Sequence, residues 1–470
     1  MPGVRPAARV ERGPAAPAGR RPGAAEYVGD GSGGHLAAAT GRLPHLTSWL
    51  AHPSGPSPEE QFSLGLGFLL DGIARCLTGA ENPGPFGQNR TVTAEILPFR
   101  IDVPQADLDD LRDRLARTRW PDQLPEVGWD YGIPLEYVRE LASYWRDAYD
   151  WRVHEARLNG FGQFTTVIDG ARVHFLHVRS ASPDALPLII THGWPGSVVE
   201  FWDIIGPLTD PVAYGGSPGD AFHLVIPTIP GYGFSGPTRD RGWDVRRVAR
   251  AWAELMSLLG YQRYGAQGGD WGSIISRELG LADPEHVAGV HLNMLITRPP
   301  DDPGELTEEE TRRLQAARQF RATGSGYSAI QRTRPQTLAY GLTDSPAGQL
   351  AWITEKFGEW TDNGRPDEAV DRDQLLTNVT LYWLTGTAGS SARLYYETAR
   401  ARAWNPTARS TVPTGVAVFP REIAPPIRRF AEQSDTIVHW TEFGRGGHFA
   451  AMEVPDLLTG DVREFFRILR

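Results

Sequence analysis

The run Gly268-Gly-Asp-Trp-Gly272 is the most informative stretch of this chain. A short apolar run around Tyr264 precedes it, and a helical pattern at 274–280 follows it. Small residues on both sides of Asp270 allow a sharp turn from strand to helix that presents the carboxylate above a sheet. The helix N-terminus behind the turn supplies backbone N–H groups and favours an ionised carboxylate. Asp270 is therefore a candidate nucleophile.

A nucleophile on such a turn needs an oxyanion hole, and a second motif predicts one. His192-Gly-Trp-Pro-Gly-Ser197 follows the apolar run Leu188-Ile-Ile-Thr191. In enzymes with a G-x-nucleophile-x-G turn, the loop after this strand gives one backbone N–H, and the residue after the nucleophile gives the other. We therefore expect these donors to be Trp194 and Trp271. The alternative, a glycine-rich turn with an N-capping Asp270, leaves the second motif unexplained.

A third motif predicts the base. Gly444-Arg-Gly-Gly-His-Phe-Ala-Ala-Met452 follows the last predicted strand, at 436–440. His448 thus lies in a glycine-rich loop late in the chain, where a hydrolase with this turn carries its base. Other histidines have simpler explanations, because they lie in predicted strands or in the N-terminal tail: His35, His174, His177, His223, His291 and His439.

A carboxylate must orient the imidazole of His448. Glu422 follows the predicted strand that ends at Phe419, which is the usual position of this acid, and we prefer it. Asp435 and Glu442 are the alternatives, and each is also explained as surface charge. No group of His, Cys and carboxylate residues has the spacing of metal ligands, so we expect neither a metal nor a cofactor.

Apolar runs alternate with helical patterns along the chain, which is typical of a parallel sheet covered on both faces. Two predicted strands at 165–178 form a hairpin that turns at Asp169-Gly170. A helix at 103–115 carries Leu108, Leu111 and Leu115 on one stripe, and a second helix runs from 135 to about 149. The remaining predicted strands are 186–191, 222–227, 261–266, 287–292, 414–419 and 436–440.

An aromatic-rich helical block interrupts the later strands and would cover their carboxyl ends as a lid. We therefore predict an α/β-hydrolase fold: a mostly parallel sheet flanked by helices, with a helical lid and an N-terminal helical domain. The predicted parts are a disordered extension (1–55), a short helix and linker (56–95), the N-terminal domain (96–163), the first part of the core (164–298), the lid (299–403) and the second part of the core (404–470).

Composition excludes several classes of function. The net charge of −10 over 470 residues shows no electrostatic footprint for nucleic acid or an anionic membrane. Cys76 is the single cysteine, so an intramolecular disulfide cannot form. The apolar run 62–77 is too short and too interrupted to span a bilayer, and no secretory signal is recognisable. We expect a cytoplasmic protein, and a homodimer is compatible with the sequence.

From about Ile96 to the C-terminus, the sequence resembles the microsomal-type epoxide hydrolases. The resemblance rests on the three motifs above and on further matches in the family's N-terminal domain, core and lid. These matches are Leu97-Pro-Phe-Arg to Arg119-Trp-Pro, Ile229-Pro-Gly-Tyr-Gly-Phe-Ser235 and the lid stretch 326–346. Residues 1–95 match nothing recognisable, and the membrane anchor of the animal members has no counterpart.

The resemblance implies a reaction and a set of roles. The family converts an epoxide and water to a vicinal diol through a covalent alkyl-aspartate ester. Its nucleophile, acid and base fall on Asp270, Glu422 and His448. Its two lid tyrosines, which protonate the opening ring, fall on Tyr327 and on Tyr395, with adjacent Tyr396 as the alternative to the second.

Epoxide hydrolysis has three alternatives, and the residues present disfavour each of them. A haloalkane dehalogenase shares the Asp nucleophile and His base, but it must hold a halide, and paired lid tyrosines favour the epoxide. A serine esterase is disfavoured because Asp270 occupies the nucleophile turn. A non-catalytic binding protein of the same fold is disfavoured because nucleophile, acid, base, oxyanion loop and both tyrosines are all retained.

Overall fold

One mixed sheet organises the chain. The computed structural model describes residues 95–470, apart from 363 and 405–407, and these lie in the compact unit Val92–Arg470. The predictions for 1–55 and for nearly all of 56–95 lie outside the described residues. The strands are β1 (Leu97–Pro98), β2 (Gln163–Ile168), β3 (Ala171–Val178), β4 (Leu186–Thr191), β5 (Phe222–Pro227), β6 (Tyr264–Gly268), β7 (Val287–Leu292), β8 (Pro413–Val418) and β9 (Thr436–Glu442).

The nine strands are arranged in the order β1-β2-β3-β5-β4-β6-β7-β8-β9. Pairing is antiparallel from β1 to β5 and parallel from β5 to β9. Strands β5 and β6 are buried along their whole length, as expected where helices cover both faces of a sheet. The predicted fold class is confirmed.

Helices precede, flank and interrupt the sheet. Three precede β2: α1 (Gln105–Ala116), α2 (Leu135–Asp147) and α3 (Trp151–Asn159). The core helices are α4 (Trp202–Thr209), α5 (Val245–Leu258) and α6 (Trp271–Ala282). Between β7 and β8 lie α7 (Glu308–Gln319), α8 (Gly326–Gln331), α9 (Pro335–Asp344), α10 (Pro346–Trp360), α11 (Pro366–Ala369), α12 (Arg372–Thr385), α13 (Ala388–Ser391) and α14 (Arg393–Arg400). The last three are α15 (Arg428–Ala431), α16 (Ala450–Glu453) and α17 (Pro455–Arg467).

Local chemistry explains the elements that the sequence predicts well. In α1, the stripe of Leu108, Leu111 and Leu115 is buried. In the hairpin, Ile168 pairs with Ala171, and the turn places Asp169 and Gly170 at φ of 48° and 76°. Positive φ at both turn residues matches the twist of the flanking strands, and Asp-Gly is a preferred pair for it.

One predicted boundary is wrong, and one helix was not predicted. Strand β6 begins at Tyr264 rather than at residue 261, because Gly260 at φ 82° follows the end of α5 and the next residues form the connection. The helix predicted from 135 to about 149 is α2, and α3 follows it because Asp150 caps a new helix by accepting a hydrogen bond from the Arg152 N–H. Neither difference moves a residue of the candidate site.

The parallel strands bring distant loops to one edge of the sheet. The motif 192–197 follows β4, Asp270 follows β6, Glu422 follows β8 and His448 follows β9. These strands run the same way, so their carboxyl ends share an edge, where open α/β sheets bind ligands. Of the helices in the described part of the chain, none is long and apolar enough to cross a membrane.

Candidate active site

Asp270 occupies a strained turn. Its φ of 49° and ψ of −126° are unusual for a residue with a side chain. A Cβ at position 272 would overlap the carbonyl of Thr191, and a Cβ at position 193 would overlap the Asp270 side chain. Glycine at both positions lets β4 and its loop approach the turn. The backbone N–H of Trp194 donates a hydrogen bond of 2.8 Å to Asp270 Oδ1.

His448 lies between two carboxylates. Its Nδ1 is 2.8 Å from Glu422 Oε1, and its Nε2 is 3.5 Å from Asp270 Oδ2. His448 and Glu422 are buried, at 3% and 5% exposure. The two alternative acids are engaged elsewhere: Asp435 pairs with Arg277, and Glu442 pairs with Arg313. The structure thus places Glu422, of the three candidates, on the imidazole.

The charges around His448 favour its protonated form. Burial by itself lowers the pKa of this imidazole, but the charges of Glu422 and Asp270 and their hydrogen bonds outweigh burial. The pKa of His448 therefore lies well above its ordinary value while Asp270 is an anion. The resting pair is best described as imidazolium and carboxylate.

Two buried phenols, those of Tyr327 and Tyr395, lie near Asp270. The ring of Tyr327 stacks on Trp194 at 5.1 Å and lies 6.0 Å from the ring of Tyr395. Burial, followed by neighbouring charge, raises the pKa of both phenols well above the ordinary value, so both are protonated donors. The Tyr395 hydroxyl is buried without a hydrogen-bond partner among the described residues. Tyr396 is half-buried, with Arg400 over its ring.

The second predicted oxyanion donor, Trp271, is the first residue of α6. Its backbone N–H forms no hydrogen bond to Asp270 in this state, so its role stays a prediction. Its ring lies 4.6 Å from Tyr395 in an edge-on contact. The Trp271 indole N–H is also buried without a hydrogen-bond partner among the described residues. Its closeness to the Tyr395 hydroxyl only partly opposes the burial that raises the pKa of Tyr395.

Two residues near the site were missed by sequence reasoning. Trp360 ends α10, lies 4.9 Å from the His448 ring, and accepts a hydrogen bond from the His448 backbone N–H. Lys356 is buried, with its Nζ 5.0 Å from the centre of the Tyr327 ring and ion pairs to Glu355 and Glu359. Lys356 is the only lysine of the chain, and this rarity is the sequence feature that could have drawn attention to it.

A large cavity lies away from the candidate site. It has a volume of about 470 Å³ and lies between residues 118–138 and the start of α10, and none of the predicted site residues lines it. Among the described residues, His439, Asp461 and Glu464 could offer three metal-ligand atoms within 4.8 Å of one another. The hydrogen bond of 2.8 Å between His439 Nε2 and Asp461 Oδ1 explains why two of these three residues lie close together.

The strained turn, the parallel sheet and the loops at its edge define the class of protein, an α/β-hydrolase-fold enzyme. Residues 187–324 match the family model described as alpha/beta hydrolase fold, and residues 96–201 match the model described as epoxide hydrolase N terminus. The chain therefore belongs to the epoxide hydrolases that carry this N-terminal domain on an α/β-hydrolase fold.

Relatives and solved structures agree with this assignment. The chain is 49% identical over 378 residues to a relative from Stigmatella aurantiaca, covering 80% of this chain and 86% of the relative. It is 36% identical over 404 residues to epoxide hydrolase 1 of Sus scrofa, covering 80% and 89%. The Aspergillus niger epoxide hydrolase structure matches with a TM-score of 0.72 and 33% identity, covering 80% of this chain and 97% of that one. These relatives support epoxide hydrolysis as the activity, and the protein is an epoxide hydrolase.

Proposed function

We propose that the enzyme opens its epoxide by a covalent route, in which Asp270 forms an alkyl ester that water then hydrolyses. The observation that carries this proposal is one cluster: Asp270 Oδ2 lies 3.5 Å from His448 Nε2, beneath the buried phenols of Tyr327 and Tyr395. Nucleophile, base and proton donors for both half-reactions are therefore in one place.

In the first half-reaction, Asp270 Oδ2 attacks an epoxide carbon. A new C–O bond forms, the ring C–O bond breaks, and the departing oxygen takes a proton from a phenol, Tyr327 or Tyr395. Donation from two neutral phenols also polarises the ring before it opens. The His448 imidazolium returns a proton to the phenol, which leaves the imidazole neutral.

In the second half-reaction, neutral His448 is the general base. Alkylation removes the charge of Asp270, which is one of the groups that raise the pKa of His448. Water attacks the ester carbonyl and gives its proton to His448, while Glu422 stabilises the resulting imidazolium. The oxyanion forms on Oδ1, where the Trp194 N–H already donates. Collapse releases the diol and restores the starting protonation states.

Intact-protein mass spectrometry with styrene oxide tests this route. His448→Gln should form an ester that cannot be hydrolysed, so an adduct of one substrate mass should accumulate. Asp270→Asn should form no adduct and should lose turnover. His439→Gln is a matched control because His439 lies in β9 with its ring on Asp461, and it should turn over normally. Turnover by His448→Gln without an adduct would contradict the covalent route.

We propose an apolar or aryl epoxide as substrate. The rings of Trp194, Trp271 and Trp360 lie against the two phenols and offer few polar groups. A similar structure, 31% identical with a TM-score of 0.74, is the juvenile hormone epoxide hydrolase of Bombyx mori. Diol formation from a panel of aryl, alkyl and polar epoxides tests the preference. Faster turnover of the polar members would contradict it.

We also propose that the enzyme works in the cytoplasm, in detoxification or secondary metabolism. The single cysteine, which cannot form an intramolecular disulfide, is compatible with a reducing compartment. Cell fractionation tests the compartment, and activity in the membrane fraction would contradict it.

A further inference from the structure

Glu200 is a buried carboxyl beside the site that has no part in the steps above. It lies in the 3-10 turn Val198–Phe201, directly after the 192–197 loop, and is 7% exposed. A Cβ at position 196 would overlap Glu200 Oε2. Glycine at this position therefore lets the carboxyl lie against the backbone of the loop that donates the Trp194 N–H to Asp270.

The Glu200 carboxyl forms no hydrogen bond or ion pair with another described residue. Buried polar groups normally have a partner. The oxygens of Glu200 are not among the fully enclosed side-chain atoms that lack one, so they border space that a small molecule can enter. Its charged neighbours are Asp270 from the turn after β6 and His448 from the loop after β9, and its charge also acts on the phenol of Tyr382 in α12, whose hydroxyl donates to the Gly196 carbonyl. The missing partner is thus a small molecule in the site, and water is the reactant that hydrolysis requires there.

We propose that Glu200 is a positioning residue that holds the hydrolytic water, accepting one of its hydrogen bonds while His448 takes its other proton. This inference rests on the covalent route. No bond to Glu200 forms or breaks: the proton lost by water goes to His448, and the oxygen of water goes to the ester carbonyl.

Burial is the main cause that raises the pKa of Glu200 to about 8 in the free enzyme; the charge of His448 opposes it, and the Asp270 anion adds to it. Both charges are absent from the ester intermediate, where Asp270 is esterified and His448 is neutral. The Glu200 carboxyl becomes a stronger acceptor for water as pH rises and it ionises, so ester hydrolysis should speed up with this ionisation as well as with that of His448.

Single-turnover kinetics of Glu200→Gln test the inference, because the amide keeps the shape but cannot carry the charge. With styrene oxide, the alkylation rate should stay within about threefold of the wild type, and ester hydrolysis should slow by about tenfold or more. The ester should then accumulate at steady state. Glu278→Gln is the matched control: Glu278 is also a buried carboxyl with a raised pKa, but its charged neighbours are Arg246, Arg277 and Asp244. This control should leave both rates unchanged.

Equal loss of both rates in Glu200→Gln would show a merely structural role and overturn the inference, as would an unchanged hydrolysis rate. If this variant does not fold, the pH profile of ester decay in the wild type decides. If the rate of ester decay rises with pH through two ionisations, those of His448 and Glu200, the role is supported. If it rises through the ionisation of His448 alone, the role is overturned. An ester trapped in His448→Gln confirms the covalent route independently, so the two proposals can fail separately.

Discussion

At the scale of single residues, Asp270 shows how strain is placed at a reacting group. A non-glycine residue at φ 49° costs on the order of 1–3 kcal/mol, and it persists only where its surroundings leave no alternative. Gly272 lies against the Thr191 carbonyl, and Gly193 lies against Asp270 itself. These close approaches fix the carboxylate at the edge of the sheet, within reach of His448.

The two phenols should act in ring opening and not in ester hydrolysis. Tyr327→Phe or Tyr395→Phe removes one of two proton donors, so alkylation should slow by roughly ten- to a hundredfold, and the double variant should slow far more. Single-turnover kinetics separate this step from ester decay. Tyr396→Phe is the matched control and should react like the wild type, because Tyr396 faces Arg400 instead of Tyr327. Slower ester decay in the single variants would contradict this assignment.

At the scale of elements, α12 holds the 192–197 loop in place. Asn378 donates to the Pro195 carbonyl and accepts from the Ser197 hydroxyl, both at 2.7 Å. The Tyr382 hydroxyl donates to the Gly196 carbonyl, also at 2.7 Å. On its other side, α12 accepts a hydrogen bond from Trp145 of α2 through Thr380. The N-terminal helix α2 therefore supports the 192–197 loop through a lid helix.

Replacing Asn378 with Ala should loosen that loop. Two buried polar groups lose their partners, so the free energy of unfolding should fall by about 1–3 kcal/mol. Ester hydrolysis should slow by roughly tenfold, because the Trp194 N–H is held less firmly than its role requires. Thr380→Val is the control on the same helix: it should lower stability but keep the hydrolysis rate. Urea unfolding and single-turnover assays measure both effects. A wild-type hydrolysis rate in Asn378→Ala would contradict this role for α12.

The end of α10 is joined to the base loop in a similar way. Asp362 Oδ2 accepts from the Gly446 N–H, and Glu453 accepts from the backbone N–H groups of Asp362 and Phe449. The position of His448 therefore depends on the lid as well as on β9.

At the scale of the whole molecule, buried titratable groups set how stability depends on pH. The pKa of Glu200 is raised to about 8 and that of Glu453 to about 7, both from an ordinary 4.5, and burial is the main cause. Such groups contribute stability that is complete below about pH 4.5 and is lost as pH rises through the folded pKa. The pKa of His448 is also raised, so its contribution to stability is likewise lost as pH rises above its ordinary pKa of 6.5.

Histidines whose pKa is lowered by burial or partial burial act in the opposite direction at lower pH. Burial lowers the pKa of His174 to about 3, and that of His192 and His177 to about 4, from 6.5. Their stability is present above about pH 6.5 and is lost as pH falls towards these values. Below about pH 6.5 the two sets oppose each other, and above it the raised groups dominate.

The enzyme should therefore lose stability between about pH 6.5 and pH 8. The loss should be on the order of a few kcal/mol, since each unit of pKa shift corresponds to about 1.4 kcal/mol. Urea midpoints measured across this range test the direction. The double variant Glu200→Gln/Glu453→Gln should show a flatter profile. A midpoint that rises with pH in the wild type would contradict the prediction.

The sequence by itself determined the features that depend on a few neighbouring residues. The turn at Asp270, the hairpin at Asp169-Gly170 and the glycine-rich loop of His448 follow from local steric rules. The chain order of the motifs also indicated the fold, because parallel strands bring their carboxyl ends to one edge.

Only the tertiary structure decided the features that depend on how distant elements pack. It placed Glu422, of three carboxylates, on His448, and it turned Tyr395 inward and Tyr396 outward. It also brought Glu200 to the site, although no motif marks that residue. The physical reason is that the rotation of a helix and the burial of a carboxyl are set by contacts between residues far apart in the chain. No local pattern encodes those contacts.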